Sequence, residues 1–465
     1  MFFTENALSW IESILLERFG QPFCLWEESG TVLMNIPGRE GHICFDHLQK
    51  VFHQSQSEFP CMNWDASKEG YNPPIEGVIP APSEAKLPLP LIVLHPKVAI
   101  IHYDIIGLTY WVLSRKEEIG RKDLDEHQRF PSISSHAYKN GYLERPIVDE
   151  WLIILGQVIE QVWPHIKLKT HIFSVKVSHD VDNPSLYGFE DWTTLVRMMT
   201  ANLVKRCDIK GFLTAPFVKL SRDNGLSTFD PNNTFDWLMD VSEANNIRSA
   251  FYFICGRTDR LRDGNYEIEH PAIRKLMRSI HRRGHEIGLH PSYGTFNSPA
   301  LIRNEAERLK KVCDEENITQ NSWGGRMHYL RWQQPITLRG WDHAGMDYDS
   351  TLGYADRPGF RCGTCYEYPA FDPEGQQQLR LRLRPLIVME GTIIAKQYLN
   401  LGVGRNAEDR VMQLKRRCRA VNGSFTLLWH NSTLRSASLK AMYSRLLSDI
   451  EFQKIGCGAV SPSDA

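Results

Sequence analysis

From Leu168 onward, short β-branched or aromatic runs alternate with longer runs of helical period. This alternation constrains the fold more than any other feature of the chain. Parallel strands cannot be joined by tight turns, and the crossover between them is usually a helix. The strand candidates are FSVKVSHDVD (Phe173–Asp182), SAFYFICG (Ser249–Gly256), HEIGLH (His285–His290), NSWGG, GMDYDSTLGY, LIVMEGTI and GSFTLLWHNS. Helices are predicted over Trp192–Lys205, Phe235–Asn245, His270–Arg283 and Pro299–Asn317. The expectation is an α/β chain whose parallel strands form a barrel.

In such a barrel the C-terminal strand ends converge on one mouth, where catalytic groups sit. The polar clusters of this chain fall at those ends. Asp180 and Asp182 close the first run, with His179 beside them, and His290 closes HEIGLH. Arg326 and His328 follow NSWGG, and His430 follows FTLLW. Residues two apart in an extended chain face the same way, so Asp180 and Asp182 can share a site. One would serve as a base and the other as a metal ligand. Carboxylate and imidazole groups with an open water position suit a mononuclear divalent cation. A polar turn through Asn183-Pro184 accounts for SHDVDNP equally well.

The remaining sequence narrows the class. Lys plus Arg (54) balances Asp plus Glu (55), so no global field favours nucleic acid or an anionic membrane. The first twenty residues carry Glu5, Glu12 and Glu17 within an apolar pattern, which reads as an amphipathic helix rather than a signal peptide. No apolar run is long enough to cross a bilayer, and the expected location is the cytoplasm. The basic run Arg410–Val421 reads most simply as a solvated face, with a contact to anionic lipid or a nucleotide-sugar phosphate as the alternative. Ten scattered cysteines, including Cys362-Gly-Thr-Cys365, read as free thiols. Glu58–Pro90 reads as a long loop or extended connector, and Lys122–Ile147 as an ordered loop between domains. Two domains are expected: a smaller N-terminal α/β domain over 1–165 and the barrel over 166–465.

The motifs SHDVD, SAFYFI, GHEIGLH, RMHYLRW and LLWH occur in the order used by carbohydrate esterase family 4, the polysaccharide deacetylases. The chain resembles that family over about residues 170–435. It looks especially similar to a subgroup of bacterial surface-polysaccharide loci, including that subgroup's N-terminal domain. The resemblance implies a distorted (β/α)7 barrel, a divalent metal (usually Zn2+) and removal of an acyl group from an amino sugar. Asp180 then matches the family's general base, Asp182 its carboxylate ligand and His290 its first metal histidine. Arg326 matches the arginine that orients the base, and His430 the general acid. One position departs: where the family has a second histidine, four residues after the first, this chain has Gly294. His328 is the preferred substitute ligand and His179 the next. Tyr293 is expected to hydrogen-bond substrate, and Trp332, Tyr354, Phe360 and Tyr366 are candidates for stacking on a sugar. Glu390 reads as either a second strand-end acid or a salt-bridged carboxylate. The expected function is metal-dependent N-deacylation of an N-acylated sugar or sugar-linked precursor. A catalytically inactive glycan-binding or scaffold protein, or a hydrolase of a small non-sugar amide, stands as the alternative.

Overall fold

The computed structural model describes residues 2–205, 207–221 and 225–448. The N-terminal part begins with a helix, Glu5–Phe19, which Thr4 caps by accepting the Ala7 amide and which Gly20 ends in a left-handed conformation (φ 70°). Strands β1 (Cys24–Glu28), β2 (Thr31–Asn35) and β3 (His42–Phe45) follow. Next come β4 (Cys61–Trp64), β5 (Ile79–Pro82), β6 (Ile92–His95) and β7 (Val98–Ile101). Five of these form a sheet in the order β1-β2-β3-β7-β6, and β4 pairs with β5. Residues 58–90 are therefore not a plain connector. Their antiparallel pair places Trp64 against Trp151 of the helix Ile147–Val162, with ring centroids 5.3 Å apart.

The second part is built on nine strands: β8 (Ser174–Val181), β9 (Ala250–Ile254), β10 (Glu286–His290), β11 (Gly324–Gly325), β12 (Tyr348–Asp349), β13 (Tyr368–Asp372), β14 (Gln377–Leu383), β15 (Val388–Met389) and β16 (Ser424–Leu428). Their order is β13-β14-β12-β11-β10-β9-β8-β16-β15, and every pairing is parallel except the β13–β14 hairpin. In that order the sheet is open, with β13 and β15 at its edges. One stretch of chain nevertheless touches both flanks. Arg384 N–H donates to Asp349 O (2.8 Å) and Leu386 N–H to Leu352 O (3.0 Å), beside β12. Val388 and Met389 then pair with Leu427 and Leu428 of β16.

Helices Phe235–Ala244, Pro271–Arg282, Pro299–Glu315 and Arg405–Ala420 lie between successive strands, as the alternation requires. A pair after β8, Trp192–Val204 and Ile209–Ser221, packs around a small cluster of Tyr187, Leu195, Ala215 and Val218. The main hydrophobic core runs without a break from Phe3 to Leu447, through both parts. A buried ion pair crosses between the parts too: Glu118, which also accepts from Arg115 (2.7 Å), accepts from Arg361 at 2.6 and 2.9 Å. The nine cysteines among the described residues are all free thiols.

Candidate active site

Along β8, Ser178 and Asp180 point to one face while His179 points to the other, as period-2 geometry requires. His179 is fully buried, donates Nδ1–H to Trp429 O (2.7 Å) and packs on Phe251. Burial pushes its pKa down to about 4. It lies in the core behind the strand, away from the metal candidates.

Arg326, directly after β11, is fully buried and fixes Asp180. Its Nη1 donates to Asp180 Oδ1 at 2.7 Å, its Nη2 to Ser178 Oγ (2.8 Å) and Ser350 Oγ (3.1 Å), and its Nε to Ser350 O (2.9 Å). A planar fork with this many partners permits one orientation of the carboxylate.

Asp182, His290 and His328 each bring one ligand atom to within 4.8 Å of the other two. His290 Nε2 is 3.2 Å from Asp182 Oδ1, and His328 Nε2 is 3.7 Å from the same oxygen. Both rings have their far nitrogen occupied: His290 Nδ1 meets Arg326 O at 2.6 Å, and His328 Nδ1 meets Asp263 Oδ1 at 2.9 Å. A ring that donates Nδ1–H to an oxygen presents an Nε2 lone pair, the arrangement that metal-ligating histidines adopt. Asp182 Oδ1 and His290 Nε2 are buried without a hydrogen-bond partner, although such atoms are normally satisfied. A divalent cation between them would satisfy both, so the residues present fit the metal that the family resemblance implies. Burial raises the Asp182 carboxyl, but the imidazoles of His328, His290 and His430 hold it well below the carboxylate range.

His430 faces this group from β16, with Nε2 3.6 Å from Asp182 Oδ2. Its Nδ1 is held by Glu390 Oε1 at 2.6 Å. Burial disfavours its charge, but Glu390, Asp182 and Asp180 outweigh burial and raise its pKa to about 10. Glu390 is thus the salt-bridged partner of His430, at the start of the short helix after β15.

The six residues converge on one cavity of about 240 Å3, except that Arg326 lies beneath it. Leu330, Met389, Ala395 and Leu428 make its apolar wall, and Arg129, Tyr329 and Tyr398 its rim. Arg129 belongs to the N-terminal part, whose loop therefore completes the mouth. It donates to Asp125 Oδ2 (2.7 Å), Tyr329 O (2.8 Å) and Tyr398 Oη (3.4 Å). The carbonyl of Tyr329 belongs to a strained turn, since Tyr329 and Leu330 have φ of 62° and 55°. Two successive side-chain-bearing residues in the left-handed region persist only when their surroundings impose it. Here Arg129 and the rings of His127, Tyr293 and His328 around Tyr329 do so.

Three expectations need correction or refinement. Trp332 is not on the cavity wall: it is 2% exposed, in the core, donating Nε1–H to Asp349 Oδ2 (3.1 Å). Tyr293 is not on it either, since its hydroxyl meets His127 Nδ1 (3.0 Å) and its ring lies under Arg331 and Arg262. Its backbone instead helps the site, because Tyr293 N–H donates to Asp263 Oδ1 (2.7 Å), the oxygen that holds His328. Gly294 is half-buried, and a Cβ there would stand 3.0 Å from Thr258 rather than near His290. The loop after β10 turns away, and His328 occupies the third corner. Sequence reasoning missed Asp263, Arg129 and Tyr398. A second cation-capable group, Asp46, His47 and His102, lies half-exposed at the ends of β3 and β7, with both Nδ1 atoms 2.8–2.9 Å from the Asp46 carboxylate.

The geometry defines a two-imidazole, one-carboxylate centre flanked by an arginine-held carboxylate and a carboxylate-held imidazole. A family model described as a family of unknown function, DUF7033, matches residues 33–164. No curated protein matches the chain. Among solved structures, the chain is similar to a putative polysaccharide deacetylase from Mycobacterium smegmatis: 14% identity, TM-score 0.38, covering 64% of this chain and 96% of that one. It is also similar to the Puue allantoinase, at 13% identity and TM-score 0.35, covering 61% of this chain and 84% of that one. A probable polysaccharide deacetylase from Pseudomonas aeruginosa PAO1 is similar at 14% identity and TM-score 0.35, over 59% of this chain and 83% of that one.

Proposed function

We propose that the chain is a metal-dependent hydrolase that removes an N-acyl group, acetyl in the simplest case, from an amino sugar or a sugar-linked precursor. The observation that carries this is the Asp180–Arg326 pair at 2.7 Å beside the Asp182/His290/His328 group, with His430–Glu390 across the same cavity. Asp180, oriented by Arg326, takes the proton of the attacking water. His430, held by Glu390, delivers a proton to the leaving amine. A divalent ion, Zn2+ in this reading, held by Asp182, His290 and His328 would supply Lewis acidity toward the acyl carbonyl. Amide hydrolysis then balances as carboxylate plus free amine, with the proton from water passed through the chain's own two groups.

The sugar rests on the motif resemblance, and so does the reading of the nine strands as a distorted seven-stranded barrel. The chain that bridges Asp349, Leu352 and Leu427 supports that closure. Division into 1–165 and 166–465 is supported by the family model's end at residue 164. A cytoplasmic location is part of the same proposal, and no helix among the described residues is long and apolar enough to cross a membrane. One observation favours a small non-sugar amide as a second reading: the cavity is about 240 Å3, with an apolar wall and neither Tyr293 nor Trp332 on it.

The test is amine release from zinc-loaded protein against N-acetylated monosaccharides, nucleotide- and lipid-linked N-acetyl sugars, and small cyclic ureides and formamides. Turnover of an N-acetyl sugar that is lost in Asp180→Asn supports the first reading. Turnover of ureides alone supports the second. No turnover of any of them, with sugar binding retained, leaves a glycan-binding protein.

A further inference from the structure

The helix pair between β8 and β9 exposes an apolar face on its outer side. Trp192, Val196, Leu203 and Val204 of its first helix are 47–71% exposed, and Ile209, Leu213, Phe217 and Leu220 of its second are 55–72% exposed. Spacings of three, four and seven residues put each set on one helical face. The inner faces are already used on Tyr187, Leu195, Ala215 and Val218. With Phe229, nine of the 23 exposed large apolar side chains among the described residues lie in this one insertion. Scattered single exposures need no explanation, but a contiguous patch marks a contact surface.

Charge and position indicate what covers it. Arg197, Lys205 and Lys210 are exposed around the patch, against the exposed acids Asp191 and Asp208, in a chain whose net charge is −1. Beside it, the loop before Asp263 presents Leu261, 93% exposed, between the exposed Arg257, Arg260 and Arg262. The two are joined: Asn265 Nδ2 donates to Glu190 Oε1 at 3.0 Å. Both leave the C-terminal ends of β8 and β9, the edge at which the cavity opens. Apolar side chains with an aromatic ring, rimmed by Lys and Arg, are the composition of a helix that lies in a lipid–water interface. We infer that this helix pair and the Leu261 loop dock the protein on an anionic bilayer surface, with the cavity mouth at the membrane. Docking there suits a lipid-borne substrate, a consequence that rests on the hydrolase reading. The docking itself does not.

The test is co-sedimentation of tag-free full-length protein with phosphatidylcholine vesicles, with and without phosphatidylglycerol. Binding is expected with phosphatidylglycerol and is expected to weaken in high salt. Leu213→Glu and Phe217→Glu, both at exposed positions, should each weaken it at least tenfold with unchanged circular dichroism. Neutralising Arg197, Lys205 and Lys210 to Gln should cost about fivefold per residue, from roughly 1 kcal/mol for each basic group near an anionic surface. Failure to sediment with either vesicle, or binding that these variants leave unchanged, overturns the inference. So does a dimer in free solution that Phe217→Glu dissolves, which would give the patch to a second copy. None of these outcomes depends on catalysis, so they leave the hydrolase reading untouched.

Discussion

At the scale of single residues, the site divides into groups that would do chemistry and groups that hold them. Asp180→Asn should lower hydrolysis by about 10²–10⁴-fold, the usual contribution of a positioned acid or base, while metal content is unchanged. Steady-state kinetics and metal analysis of the same sample check this. Asp263 holds His328 at 2.9 Å and does not itself line the cavity. Asp263→Ala should therefore weaken metal binding by about 10–100-fold, measured by competition with a chromophoric chelator. The six candidate site residues stand out in the sequence because each closes or follows a strand-like run. Asp263 does not, since it sits in LRDGN between a strand and a helix and carries no periodic or spacing signal. Gly294 suggested a broken site for a related reason. The sequence shows that a histidine is missing but not that the loop after β10 turns away, so that His328 fills the corner.

At the scale of elements, the tight approach of β10 and β11 sets where Arg326 and His328 emerge. A Cβ at Gly325 would lie 1.9 Å from Leu289 O and 2.8 Å from Trp341. Gly325→Ala should thus destabilise the fold by at least about 3 kcal/mol, read by urea denaturation. The helix Pro299–Glu315 carries a pH-sensitive contact. Burial raises the Glu305 carboxyl to about 7, although the Ser292 hydroxyl and amide donate to it. The folded state therefore holds this proton more tightly than the unfolded chain, whose ordinary value is 4.5. Its contribution is fully present below pH 4.5 and is lost as pH rises through about 7, at most ~3 kcal/mol. Glu305→Gln should flatten that slope of unfolding free energy between pH 4.5 and 7. Long elements were readable: the predicted Pro299–Asn317 helix is Pro299–Glu315, and Trp192–Lys205 is Trp192–Val204. Strands β11, β12 and β15 have two residues each, too few for any period to appear. The β13–β14 hairpin escaped notice because QQLRLRL is too charged to read as an interior strand; its Arg382 is paired with Glu17 and Glu367.

At the scale of the molecule, the N-terminal part is fused to the nine-stranded part rather than tethered to it. Trp10 Nε1–H donates to Pro369 O (2.9 Å), Asp149 accepts from Thr364 and Cys365, and Arg361 depends on Glu118 for charge balance. Removing residues 1–165 would strand a buried guanidinium, which costs about 3–5 kcal/mol for each such broken pair, and would expose much of the shared core. Calorimetry of the full chain should show one cooperative transition, and the truncated chain should not fold. Two well-separated transitions would contradict the shared core. The central claim is that Asp182, His290 and His328 hold the metal, and it is tested most directly by zinc content. The measurement is made on tag-free protein carrying His102→Ala, so that the Asp46 group cannot contribute. The account predicts about one zinc per chain, lost in both Asp182→Ala and His328→Ala. Zinc retained in His328→Ala, or absent from the parent after loading, would contradict it.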